Sequence, residues 1–231
     1  MDRKIYVIVM AAGSGTRMGT LLPKQFLDFG GKPVLQRTIE VFVRALPELK
    51  VVTVLPKEHI DYWKRCCIEN DFLCPQMIVE GGFTRFHSVR NALEKIPDGA
   101  IVAVHDGVRP LVSVEKVKEL FSLMETSRAV IPVVPATDTL KLLRKEGDSY
   151  VAMEGDAPDR NCIFGAQTPQ IFMSEDLKAA YLQPYDLSFT DDASVAAKIN
   201  IPLTYVTGER NNIKITTPED LLLAQAYLEL R

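Results

Sequence analysis

The chain has 231 residues, 47% of them hydrophobic and 25% charged, with 27 Lys+Arg against 30 Asp+Glu for a formal net charge of −3. That length fits a single domain burying roughly 70% of its unfolded surface, and the mildly acidic balance argues against broad nucleic-acid binding, so any polyanionic ligand must meet a local cluster of cations. No run of 18 apolar residues is present to span a membrane.

The first apolar run, Ile5 to Met10, reads as a buried strand. Arg3-Lys4 ahead of it mimics a signal peptide, but the run is too short and leads straight into a glycine loop. In that loop, Ala11, Ala12, Gly13 and Gly15 are small enough to let backbone N–H groups approach anionic oxygens. Arg17 and Lys24 add positive charge where the loop folds over, a combination that suits a nucleoside triphosphate. Two familiar glycine loops fail here. A P-loop needs Gly-Lys-Ser/Thr, which does not occur. The dinucleotide fingerprint needs G-x-G-x-x-G, whereas Gly13, Gly15 and Gly19 are spaced one residue too long, and the strand ending at Leu55 is followed by Pro56-Lys57 with no carboxylate before Glu58.

Strand-like runs and helical patterns then alternate. Helical spacing over 34–45 keeps Val34, Leu35, Thr38, Val41 and Phe42 on one face. Val51 to Leu55 is followed by a helix over 57–70, and Met77 to Val79 by a helix over 84–96. Ile101 to Val104 precedes a helix capped by Ser113, and Ala129 to Val134 is a fifth apolar strand. The repeated units predict an α/β fold with a doubly wound, mostly parallel sheet, whose ligands sit beyond the C-terminal strand ends. The informative loops all follow strands: the glycine loop, Gly81-Gly82, Asp106-Gly107 and Asp138-Thr139.

Over 137–160 the rhythm changes. Leu140, Leu142, Tyr150, Val151 and Met153 flank the polar turn Lys145-Glu146-Gly147-Asp148, which predicts an inserted β-hairpin arm. A lone hairpin is marginal in water, so the arm should pack on its own domain or on a second subunit. Helices near 174–182 and after Asp192 and a strand over 203–206 lead to a final helix. Its start is marked by Thr217 as cap, Pro218 in the first position and acids in the first turn. One domain over 1–231 with an arm at about 137–160 accounts for the chain. Cys66, Cys67, Cys74 and Cys162 form no C-x-x-C pair and read as reduced packing residues, which points to a cytoplasmic protein.

Two further stretches carry chemistry. Gly81-Gly82-Phe83-Thr84-Arg85-Phe86-His87-Ser88-Val89 runs a glycine pair into a helix, with the Ser88 hydroxyl one turn in; it also reads as an ordinary turn capped by Thr84. In His105-Asp106-Gly107-Val108-Arg109-Pro110, Asp106 can bind a ribose or polyol hydroxyl, sit near a magnesium ion held by phosphates, or cap the turn. Arg109 offers a planar fork to a phosphate, unless it is simply solvated. His105 reads as a packed histidine rather than a catalyst.

The opening loop with Pro23-Lys24-Gln25 resembles the A-A-G-x-G-x-R-M-G…P-K-Q signature of the 2-C-methyl-D-erythritol 4-phosphate cytidylyltransferases, CTP-using enzymes of non-mevalonate isoprenoid synthesis. G-x-G-x-R followed by P-K is shared by many nucleotidyltransferases. The resemblance extends, in order, through G-G-x-x-R-x-x-S-V, H-D-x-x-R-P, Asp138-Thr139 with Lys141, Arg160-Asn161, Gln167-Thr168-Pro169-Gln170, Thr190-Asp191-Asp192-Ala193-Ser194 and Asn212-Ile213-Lys214-Ile215-Thr216. Some relatives carry an acid where this chain has Phe83.

The resemblance implies attack of a phosphopolyol phosphate on the α-phosphorus of CTP, with pyrophosphate leaving and Mg2+ bridging the CTP phosphates. It assigns Arg17, Lys24 and Lys214 to charge stabilisation. Ala11, Ala12, Gly13, Ser14, Gly15, Gly81, Gly82 and Ser88 would bind the nucleotide. Asp106, Arg109, Thr139, Arg160, Thr168, Thr190 and Thr216 would hold the phosphopolyol, with Arg160 and Thr168 reaching the partner's site in a homodimer joined through the arm. No protein metal ligand is assigned with certainty, Asp106 being the one candidate. A ribitol 5-phosphate cytidylyltransferase and a non-catalytic nucleotide-binding protein of the same build are the alternatives. The second should have lost Lys24 or Lys214, and this chain keeps both.

Overall fold

A computed structural model describes residues 3–13, 22–155 and 159–230. Six strands run parallel: β1 (Ile5–Met10), β2 (Lys50–Leu55), β3 (Gln76–Glu80), β4 (Ile101–Asp106), β5 (Ala129–Pro135) and β10 (Thr204–Thr207). Two strands were not expected from the sequence. β8 (Phe164–Ala166) and β9 (Gln170–Met173) run antiparallel, and β9 inserts between β4 and β5. The sheet order is therefore β3-β2-β1-β4-β9-β5-β10, with β8 continuing along β5.

Successive side chains of a strand face opposite sides, and β1 divides its residues accordingly. Val7 and Val9 enter one core with Ile39 and Phe42 of α1 (Val34–Ala45), Trp63 of α2 (Ile60–Glu69) and Leu120 of α4 (Val114–Ser122). Tyr6 and Ile8 enter the other. There they meet Val89 of α3 (Arg85–Leu93), Leu177 of α5 (Ser174–Tyr181) and Val195 of α6 (Asp192–Ala197). Helices thus cover both faces, as near-continuous apolar strands require.

The helix starts follow local chemistry. The Thr84 side chain accepts from the His87 amide, Ser113 from Lys116, and Asp191 and Thr217 each form a reciprocal capping box. The last helix, α7 (Pro218–Glu229), carries proline in its first turn as predicted. Between β5 and β8, β6 (Leu143–Glu146) and β7 (Ser149–Ala152) pair antiparallel as a separate two-stranded sheet.

The strand order reverses between β1 and β4, since β2 and β3 lie to one side and β9 and β5 to the other. Open α/β sheets bind ligands outside the carboxyl ends of strands at such a reversal. Met10 and Asp106 are register partners at this point.

Candidate active site

A cavity of about 470 Å3 opens at that strand-end crevice, lined by Met10 to Gly13, Lys24 and Gln25, Gly82 to Arg85, Ser88, Asp106, Val108 and Lys214. Of the expected nucleotide loop, Ala11, Ala12 and Gly13 lie on its wall. Ala11 extends β1 by donating to the Val54 carbonyl at 2.9 Å, and the Gln25 amide donates to the Ala11 carbonyl at 2.9 Å. Gln25, the last residue of the P-K-Q stretch and given no role from the sequence, ties the start of the loop to the Lys24 turn. Ser14, Gly15 and Arg17 lie outside the described residues.

The glycine pair is required by space. A Cβ at Gly81 would sit 2.7 Å from the Ala12 Cβ, and one at Gly82 would sit 2.5 Å from the His87 Cβ. The loop after β3 therefore lies against the loop after β1. Ser88 is buried beneath it. Its hydroxyl accepts from the Gly82 amide at 2.9 Å and donates to the Thr84 carbonyl at 2.9 Å, so it shapes the loop as well as facing the cavity.

The acceptor side centres on Asp106. Its Oδ2 lies 3.1 Å from Lys214 Nζ and accepts from Arg109 Nε at 3.1 Å. Burial alone would raise this carboxyl, but the charges of Lys214, Arg85 and Arg109 outweigh it and hold the group well below the usual carboxylate range. Asp106 stays ionised. Lys214 comes from the loop after β10, and its neighbours explain why a charge sits in an apolar stretch. Ile215 is fully buried with Phe29, Val34 and Val108, and its amide donates to the Val108 carbonyl at 2.9 Å. Anchoring Ile215 delivers Lys214 to the cavity.

The loop before Lys214 is held by a polar clamp. Gln167 donates to the Glu209 carbonyl at 2.8 Å and accepts from the Glu209 amide at 3.1 Å. The Asn212 amide donates to the Thr168 carbonyl at 2.9 Å, and Arg109 Nη1 donates to the Asn212 carbonyl at 2.7 Å. The Arg109 fork, expected to face a phosphate, is thus largely committed to bracing Asp106 and the Lys214 loop; its side chain is 13% exposed.

His105 is fully buried beside Phe42, with Nε2 against the Arg109 carbonyl at 3.1 Å, which makes that nitrogen the donor of a neutral ring. Burial pushes its pKa down to about 4, against the opposing pull of that hydrogen bond and of Asp106. The packed reading of His105 agrees with this position.

The remaining expected acceptor residues do not line this cavity. Thr139 and Arg160 are exposed at the base of the β6–β7 segment, where Arg160 Nη1 reaches the Thr137 carbonyl at 3.4 Å. Thr168, expected to reach a partner's site, is buried in the chain's own core, where its hydroxyl accepts from the Asp106 amide at 3.1 Å. The Thr190 amide donates to Ser194, and the Thr216 hydroxyl donates to the Lys214 carbonyl at 3.2 Å.

Arg85, missed as a site residue, lines the cavity and forms a two-pronged pair with Asp192, which is fully buried at the start of α6. The Tyr181 hydroxyl donates to the same carboxylate at 2.6 Å. This cluster joins the loop after β3 to the Thr190 loop. Among the described residues Asp106 is the only carboxylate on the cavity wall, and no cluster of three metal-binding side chains occurs. A protein-ligated cation does not fit a carboxylate already bridged by two side-chain cations.

Among the described residues, no helix is long and apolar enough to cross a membrane. Residues 5–230 match the family model IspD, 2-C-methyl-D-erythritol 4-phosphate cytidylyltransferase. The chain is 45% identical to the enzyme of that name from Bacteroides thetaiotaomicron, over 96% of this chain and 98% of that one. It is also 45% identical to the one from Porphyromonas gingivalis, over 99% of each. Its structure is similar to that of 4-diphosphocytidyl-2C-methyl-D-erythritol synthase from Anaerococcus prevotii, with a TM-score of 0.80 at 29% identity over 98% of this chain and 96% of that one. The Francisella tularensis 2-C-methyl-D-erythritol 4-phosphate cytidylyltransferase gives 0.76 at 31% identity, over 96% and 99%.

Proposed function

Since the chain belongs to the 2-C-methyl-D-erythritol 4-phosphate cytidylyltransferase family, and is thus an enzyme that transfers CMP from CTP to 2-C-methyl-D-erythritol 4-phosphate with release of pyrophosphate, we propose that the transfer takes place in the cavity between the tips of β1 and β4. The observation that carries this reading is that Lys24, Asp106 and Lys214 line the same cavity as two close-packed glycine loops.

An acceptor phosphate oxygen attacks the α-phosphorus of CTP, the bond from that phosphorus to the bridging oxygen breaks, and pyrophosphate departs. A phosphate monoester has its second pKa near 6, so the nucleophile is already anionic at neutral pH and needs no general base. The obstacle is charge: two unit charges about 4 Å apart repel by roughly 4 kcal/mol at an effective dielectric constant near 20. Lys24 and Lys214, with Arg17 from the glycine loop, oppose that repulsion and the charge that builds on the departing group. Asp106 orients Lys214 and accepts from acceptor hydroxyls, and Arg109 holds Asp106 in place. A divalent cation bound with CTP would neutralise part of the phosphate charge, and among the described residues Asp106 is the one carboxylate that would lie near it.

We further propose a homodimer joined through the arm at about 137–160, within a single domain over 1–231. The β6–β7 ribbon exposes Leu142, Leu143, Tyr150 and Met153, apolar area that a two-stranded sheet cannot cover by itself. In such a dimer Arg160 and Thr139, exposed in one subunit, can serve the acceptor site of the other, and Thr190 and Thr216 complete the acceptor contacts. A cytoplasmic location fits the four unpaired cysteines.

The test is pyrophosphate release by the purified protein with CTP and either 2-C-methyl-D-erythritol 4-phosphate or ribitol 5-phosphate. Turnover confined to the methylerythritol acceptor is the expected result. Turnover confined to ribitol phosphate would replace the acceptor, and none with either would reject the reading.

A further inference from the structure

Phe83 is fully exposed, yet it lines the cavity, where it is the only aromatic side chain among the described residues. A solvent-facing phenyl ring beside Gly82 contributes nothing to either core, and on the cavity lining it offers a flat apolar face to a ligand. His87 meets it edge to face at 6.3 Å between centroids, and His87 is itself held by the Thr84 hydroxyl at 2.8 Å and by rings of Phe86 and Tyr185. Phe83 is thus open to a flat ligand that enters the cavity.

Its position relative to the charges decides what that ligand is. Phe83 follows β3, while Asp106 ends β4, and in the order β3-β2-β1-β4 the two strand ends are three strand spacings apart, roughly 14 Å. That approaches the reach of an extended pyrimidine nucleotide from base to phosphates. With phosphates at Lys24 and Lys214, the planar end falls at the glycine pair. Resting on the functional reading above, we infer that Phe83 is the stacking surface for the cytosine of CTP, and so a residue that fixes affinity for the base without taking part in phosphoryl transfer.

The experiment compares F83A, F83L and F83W with the wild-type enzyme. Because Phe83 packs in no core, all three variants should fold with unchanged unfolding midpoints. F83A raises the KM for CTP on the order of 10-fold, F83L recovers little of it, and F83W restores it within twofold. In all three, kcat and the acceptor KM stay within twofold of wild type. CTP quenches the new tryptophan emission of F83W, whereas pyrophosphate does not; the native Trp63 is fully buried and provides a constant background. An F83A enzyme whose CTP KM is unchanged, or F83W emission indifferent to CTP, overturns the inference. A wild-type protein without transferase activity rejects the functional reading instead, and the quenching measurement still decides whether the ring meets the base.

Discussion

Lys214 Nζ lies 3.1 Å from Oδ2 of Asp106, joining the loop after β10 to the tip of β4. This carboxylate is the local counter-charge of Lys214, the cation proposed to meet phosphate, and Arg109 shares it. Replacing Asp106 by Asn removes the negative charge and leaves both cations in place. Pyrophosphate should then bind on the order of 10-fold more tightly by calorimetry, about 1.4 kcal/mol, because one repulsive charge has gone. The acceptor KM should rise in the same variant, since an amide is a poorer acceptor for polyol hydroxyls. Weaker pyrophosphate binding in D106N would show that Asp106 holds the cations in a geometry the anion needs.

His105 gives the protein an acid-sensitive element in the core directly behind Asp106. Its ring is neutral down to about pH 4 in the fold, whereas an unfolded histidine takes up its proton near pH 6.5. Between those values the unfolded chain binds the additional proton, so stability falls as pH is lowered through the window, by up to about 3 kcal/mol. Asp106 acts in a different range, because its depressed carboxyl contributes stability that is lost only below about pH 4. Urea unfolding at pH 7 and pH 5 should show this loss in the wild type and much less of it in H105Q. Equal losses in both proteins would remove His105 as the source.

Much of this architecture was legible in the chain because short, β-branched apolar runs such as Ile5 to Met10 and Ile101 to Val104 read as buried strands, and the loops that follow them hold the glycines and charges. β9 was not legible. It is four residues long and partnered from sequence-distant β4 and β5, and its Gln170 turns out to be fully buried because it bonds the Asp191 carboxylate and the Ala193 amide. The Arg85–Asp192 pair was hidden for the same reason, since each residue looks like an ordinary polar helix start until the fold brings α3 and α6 together. Arg109 read as a phosphate fork or a solvated charge because the carbonyl that occupies it belongs to Asn212, in a distant loop.

Deleting residues 143–152 with a short glycine linker tests the arm. The main sheet does not include β6 or β7, so the remaining domain should fold with an unchanged far-ultraviolet spectrum. Sedimentation should show a monomer, and kcat/KM for the acceptor should fall by at least an order of magnitude as the sites lose Arg160 from across the interface. A fully active monomer would refute both the interface and the shared site.

The central claim is that cations placed at strand ends, and no protein base, drive the transfer. Steady-state kinetics of Lys24→Ala at saturating CTP measures it most directly. The account predicts a kcat lower by on the order of 10²-fold or more, equivalent to about 3 kcal/mol of transition-state stabilisation. A wild-type kcat accompanied only by a raised KM for CTP would contradict it, showing that Lys24 holds the nucleotide and does nothing more in the transition state.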